Sequence, residues 1–154
     1  MRAFRRAVLG GTFDGLHPGH RALLRTAFRV ADEVRIGLTT PTFLARHPKP
    51  FPERIAPYRA RRAALAEYLV ARFPGRRWRI VPLSDPLGGA VRRGPDVLVV
   101  STESLAGARS VNRARVARGL PRLALEVIPQ VRDPTGRPYA SRRRRARESG
   151  VRGR

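Results

Sequence analysis

The sequence predicts an α/β fold: a doubly wound, five-stranded parallel sheet with helices on both faces. Three observations predict it. Five short apolar runs alternate with segments whose apolar residues recur at helical spacing, and glycine and proline punctuate the joins. The run at 96–101, DVLVVS, is nearly continuously apolar, as a central strand covered on both faces must be. Strand and helix alternate throughout, and parallel neighbours require crossover connections of one hand, which this alternation supplies.

In chain order, residues 6–9 read as a buried strand entering a tight turn at Gly10-Gly11. A helix follows, with Pro18 where a first turn tolerates it and with Leu23, Leu24, Ala27, Phe28 and Ala31 on one face. Residues 33–39 form the second strand. The segment 40–57 holds five prolines, at 41, 48, 50, 52 and 57, together with Lys49, and reads as a long ordered loop beside a site. Residues 58–73 are helical and end at Pro74-Gly75, 78–83 form the third strand and 96–101 the fourth. Residues 105–118 form a helix closed by Gly119, and 123–128 the fifth strand. An Arg-rich terminal helix or tail runs from about 139, the stretch 136–154 carrying eight arginines against Glu148. Such a winding is Rossmann-like, and its ligands bind beyond the carboxyl ends of the strands.

At 154 residues the chain is expected to form a single domain, 1–154, and 42% hydrophobic residues suffice for its core. It has no cysteine, which excludes disulfides, thiolate zinc sites and cysteine nucleophiles. The apolar run after Met1-Arg2-Ala3-Phe4-Arg5-Arg6 is too short for a secretory signal, and no stretch approaches the roughly 20 residues of a membrane helix. A soluble, cytoplasmic protein with no membrane partner is expected. The net charge is +22, yet Lys49 is the single lysine, and Arg, Ala, Gly and Pro fill 80 of the 154 positions. All four have GC-rich codons, so codon bias is the preferred source of the charge over a nucleic-acid partner, which the basic footprint alone would suggest. The field still steers phosphorylated small molecules toward the chain, less so as salt rises.

The chemistry lies in Gly10-Gly11-Thr12-Phe13-Asp14-Gly15-Leu16-His17-Pro18-Gly19-His20, between the first strand and the first helix. Gly10 and Gly11 admit a ligand close to backbone, and the helix start at Pro18 offers unpaired N–H groups and a positive dipole end, a setting suited to polyphosphate. Neither G-x-G-x-x-G nor G-x-x-x-x-G-K-[ST] is present. Three readings of the histidine pair stand side by side: phosphate contacts, a helix cap with a surface neighbour, or zinc ligands. Zinc needs a third protein ligand, for which only Asp14 and the distant His47 offer themselves.

The stretch Gly11-Thr12-Phe13-Asp14-x-x-His17-x-Gly19-His20 resembles the G-T-F-D-x-x-H-x-G-H signature of the nucleotidylyltransferase superfamily. The rest of the chain is similar to the archaeal-type phosphopantetheine adenylyltransferases. Matching segments are Ile36-Gly37-Leu38-Thr39, Pro57-Tyr58 with Arg61, and 99–104 leading into Gly107-Ala108, Asn112, Arg115 and Gly119-Leu120-Pro121. The resemblance implies adenylyl transfer from ATP to 4′-phosphopantetheine, giving dephospho-CoA and pyrophosphate. An acceptor phosphate is already a nucleophile, so positioning and charge neutralisation suffice. The resemblance also implies the roles. Thr12 and His20 contact the α-phosphate and acceptor, His17 the ATP phosphates, and magnesium bridges the triphosphate. Gly10, Gly11 and Phe13 complete the nucleotide-binding turn, and Ser101, Glu103, Asn112 and Arg115 lie where the nucleotide should sit. Arg115 reaches either phosphate or solvent. Lys49 is either the mobile cation closing over the phosphates or a solvated loop lysine.

The family's C-terminal I-S-S-T-x-I-R aligns with Tyr139-Ala140-Ser141-Arg142-Arg143-Arg144-Arg145. Ser141 and Arg145 match, and Arg142 offers a guanidinium to phosphate in place of a hydroxyl. Ala140 and Arg144 depart from the pattern. Two other readings are transfer to a different phosphate acceptor (flavin mononucleotide, nicotinamide mononucleotide or glycerol phosphate) and a catalytically silent binder of nucleotide or nucleic acid.

Overall fold

The computed structural model describes residues 2–139. Its strands are β1 (Phe4–Gly11), β2 (Ala31–Thr39), β3 (Arg77–Leu83), β4 (Val97–Ser101) and β5 (Ala124–Ile128); its helices are α1 (Pro18–Val30), α2 (Pro41–Arg46), α3 (Tyr58–Arg72) and α4 (Leu105–Ala117). All strand pairs are parallel, in the order β3-β2-β1-β4-β5. The doubly wound α/β expectation holds. Observed strands begin one or two residues from the predicted starts, a shift expected where elements fray.

Alternation along the strands decides which face each helix covers. Ala7, Leu9, Val97 and Val99 point to one face, where they pack with Leu24, Ala27 and Phe28 of α1 and Leu65 and Leu69 of α3. Val8 and Leu98 point to the other, against Ala108 and Val111 of α4 and Ala90. Full burial of each Leu or Phe contributes roughly 1.5–3 kcal/mol. On that second face the β3–β4 crossover contains only a 3-10 turn at Gly88–Val91.

Two expectations need correction. The segment 40–57 is not without regular structure: it forms α2 and a 3-10 turn at Pro52–Arg54. Thr40 caps α2, its Oγ1 accepting from the Phe43 N–H at 3.2 Å. Pro41 and Pro52 occupy helix starts, where a missing N–H costs nothing, so prolines read as loop markers are helix starters. Asn112 and Arg115 are the second case, because the side chains of both are bonded to main chain and neither lines the cavity beyond the strand ends. Asn112 mimics a strand partner, donating to the Leu123 carbonyl at 3.0 Å and accepting from its N–H at 2.8 Å. Arg115 is 2% exposed and donates to the carbonyls of Pro121 (2.7 Å), Ala90 (2.7 Å) and Arg92 (2.8 Å). Both face inward because Ala108, Val111 and Arg115 share the buried stripe of α4.

Arg115→Ala is therefore expected to lower unfolding stability by about 2–4 kcal/mol, since three carbonyls lose a charged donor. Urea unfolding measures this, and ATP affinity of the folded variant should match the wild type. A variant of normal stability with weakened ATP binding would restore Arg115 to the phosphate.

Candidate active site

β1 and β4 are neighbours, but the chain leaves β1 for one face of the sheet and β4 for the other. A crevice opens at such a reversal, beyond the carboxyl ends. Here it is a cavity of about 810 Å³. Gly10, Gly11, Thr12 and Phe13 form its floor, and His17, Gly19 and His20 come from the start of α1. Lys49 and Pro50 close one side, Ser101, Glu103 and Ser104 follow β4, and the rest is Leu23 and chain at 128–131 and 137–139.

The turn from β1 into α1 runs through the left-handed region at Phe13 (φ 48°), Gly15 (82°) and Leu16 (37°). Non-glycine residues rarely adopt such angles, and those that do tend to lie at functional turns. Phe13 tolerates it because its ring, 1% exposed, is anchored in the core. A Cβ on Gly11 would lie 3.2 Å from that ring, and one on Gly10 would lie 3.1 Å from Leu83. Both glycines thus make room for neighbouring side chains as well as presenting backbone to the cavity.

His17 is the N-cap of α1, its Nδ1 accepting from the N–H groups of Gly19 (3.1 Å) and His20 (3.3 Å). The expectation of unpaired N–H groups at this helix start is corrected: Pro18 has none and the next two are taken. The positive dipole end persists. With Nδ1 an acceptor, the proton of neutral His17 sits on Nε2. Burial lowers its pKa, against its own backbone hydrogen bond and Glu103, which raise it. The two imidazoles stack at 3.7 Å between centroids and 18° between planes. His20 lies between that ring and Phe13, 5.2 Å away, and its Nδ1 is buried with no hydrogen-bond partner among the described residues. Burial above all, then His17 and Lys49, pushes its pKa down to about 3. At neutral pH His20 is an uncharged ring.

Beneath the turn, the buried Arg61 of α3 donates to the carbonyls of Ala56 (2.8 Å), Thr12 (3.0 Å) and Thr39 (2.9 Å). Burial lowers its pKa, against Asp14 and Tyr58.

Residues 8–147 match the cytidylyltransferase-like family. The phosphopantetheine adenylyltransferase of Pyrococcus abyssi is 44% identical over 138 residues, covering 88% of this chain and 85% of the relative. This chain belongs to the phosphopantetheine adenylyltransferase family. The enzyme of that name from Methanopyrus kandleri is 38% identical, over 94% of this chain and 91% of its own length. Among solved structures, an Archaeoglobus fulgidus protein of unknown function superposes with TM-score 0.71 at 26% identity, covering 80% of this chain and 88% of that one.

Nine residues singled out in the sequence meet at this family member's cavity: Gly10, Gly11, Thr12, Phe13, His17, His20, Lys49, Ser101 and Glu103. Phe13 lines the cavity while its ring packs in the core and backs His20. Asn112 and Arg115 are elsewhere. Ser141, Arg142 and Arg145, with Ala140 and Arg144, lie outside the described residues. Gln130, Arg137 and Tyr139 were not singled out as site residues. Gln130 is the chain's one glutamine, which is a signal, whereas Arg137 is masked by 31 other arginines. No group of three or more His, Cys, Asp or Glu side chains converges among the described residues, so the zinc reading of the histidines has no third ligand there. No helix among them is long and apolar enough to cross a membrane.

The folded state holds His20 neutral while the unfolded chain protonates it near pH 6.5, so native stability falls as pH drops from about 6.5 toward 3. His17 adds in the same direction. The expected result is a melting temperature that declines between pH 6.5 and 5, above the range of most carboxylates, and that declines less in His20→Gln. Parallel curves for the two proteins would contradict a buried neutral His20.

Proposed function

We propose that this protein transfers the adenylyl group of ATP to 4′-phosphopantetheine, forming dephospho-CoA and releasing pyrophosphate. The observation that carries it is one cavity at the strand-order reversal, lined by Thr12, a stacked neutral histidine pair and Lys49, in a chain 44% identical to an enzyme of that name. A His20 pKa of about 3 does not suit a general base at neutral pH, and this reaction needs none, because the acceptor phosphate is already anionic. What it needs is in-line alignment and hydrogen-bond donors aimed at the charge that develops on the transferred group.

The ATP α-phosphate lies over Thr12 and His20, with the His17 Nε2–H and Lys49 toward the leaving phosphates. The nucleoside lies along Ser101 and Glu103. The acceptor's arm enters an adjoining cavity of about 600 Å³ that shares Gly10 and is walled by Val81, Leu83 and Leu87. Its lining also includes Arg35, Arg79, Arg92, Ser84 and Asp85, so apolar walls alternate with polar groups that an amide-bearing arm could engage. Among the described residues Glu103 is the one carboxylate lining the ATP cavity, which fits a magnesium ion held chiefly by phosphate oxygens and neutralising the leaving pyrophosphate when bound.

Purified protein given ATP or CTP with phosphopantetheine, flavin mononucleotide, nicotinamide mononucleotide or glycerol phosphate should release pyrophosphate fastest with ATP and phosphopantetheine. Turnover confined to another acceptor would overturn the assignment. His20→Ala should lower kcat about 100-fold or more while ATP affinity changes less than about threefold, because its contact strengthens in the transition state. Equal losses in both would reduce His20 to a binding residue.

A further inference from the structure

We propose that Arg61 and Thr39 form a hydrogen-bond relay that sets the direction of the Thr12 hydroxyl, making both of them positioning residues for adenylyl transfer. The proposal rests on the reading that the α-phosphate lies over Thr12. Thr39 ends β2 and is 2% exposed; Arg61 is 3% exposed. Besides its three carbonyl bonds, Arg61 donates from Nη1 to Thr39 Oγ1 at 3.4 Å. Thr39 Oγ1 in turn donates to Thr12 Oγ1 at 3.0 Å.

The directions follow from the chemistry of the groups. A guanidinium only donates, so Thr39 Oγ1 accepts from it. Thr39 has one hydroxyl hydrogen, and it is spent on Thr12. Thr12 Oγ1 is thereby an acceptor on its inner side, and its own hydrogen points away from Thr39. Thr12 lines the cavity, so the hydrogen is aimed where an anionic oxygen would lie. Successive bonds polarise one another, and the chain begins at a buried cation, which strengthens the outermost donor. The donor is aimed before substrate arrives, so no reorientation is needed during the reaction.

The carbonyl bonds of Arg61 account for joining α3 to the ends of β1 and β2. The Thr39 hydroxyl is different, because valine would fill the same space. It has a role in aiming Thr12 that packing does not require.

The test is a double-mutant cycle in the full-length protein, with kcat from pyrophosphate release, ATP Kd from calorimetry and melting temperature as the folding control. Thr39→Val should lower kcat about tenfold and leave the ATP Kd within about twofold. Thr39→Ser should restore kcat to within about twofold. In a Thr12→Val background, Thr39→Val should have no further effect, since the group it aims is gone. If the valine variant melts below assay temperature, Thr39→Ala carries the same expectations. Multiplying losses in the double variant, a serine variant as slow as valine, or an unchanged kcat in Thr39→Val would overturn the relay while leaving the assigned reaction intact. A Thr12→Val protein with wild-type kcat would remove the α-phosphate from Thr12 and the relay with it. Absence of turnover in the wild-type protein would overturn the reaction itself.

Discussion

β1 is hydrogen-bonded to β2 and to β4 and packed on both faces, so the cavity lies at its carboxyl end. Chain leaving that end must turn at once into α1, and chain leaving β4 must cross to the opposite face. The space between the two departures is the cavity. Its lining is thus a consequence of sheet order: residues far apart in sequence, such as Thr12, Lys49 and Glu103, converge because each follows the end of a strand.

Within that space uncharged hydrogen-bonding groups, the Thr12 hydroxyl and a neutral His20, line the same cavity as the cationic Lys49 and Arg137. The histidine stack is the clearest case. One ring caps a helix, and this both fixes its tautomer and pins the partner ring between itself and Phe13. Burial keeps the partner neutral in a chain of net charge +22.

The fold was largely legible because apolar runs and their punctuation follow directly from burial. Much of the cavity lining was legible too, because the stretch from Gly10 to His20 is contiguous. Two kinds of residue escaped. Pro41 and Pro52 were ambiguous, since the same ring that breaks a helix interior also starts a helix. Asn112 and Arg115 were placed at the nucleotide from their polarity and their position after β4, but helical spacing carried the better information. Ala108, Val111 and Arg115 share one stripe, and so do Arg61, Leu65 and Leu69 on α3. A guanidinium in register with a helix's apolar face is an inward-pointing group. That signal would have found Arg61 under the β1–α1 turn and excluded Arg115 from the cavity.

Arg76 behaves like these two, donating to the carbonyls of Phe28 and Ala31 where α1 hands over to β2. Three guanidiniums therefore act as internal fasteners, each gathering two or more main-chain oxygens that an ammonium could not span in the same plane. The near-total replacement of lysine by arginine is thus not interchangeable coating. Reversing it across the whole chain would preserve every formal charge and still remove the bonds that tie α3 to the ends of β1 and β2, α4 to the β3–β4 crossover, and the α1–β2 junction to the start of β3.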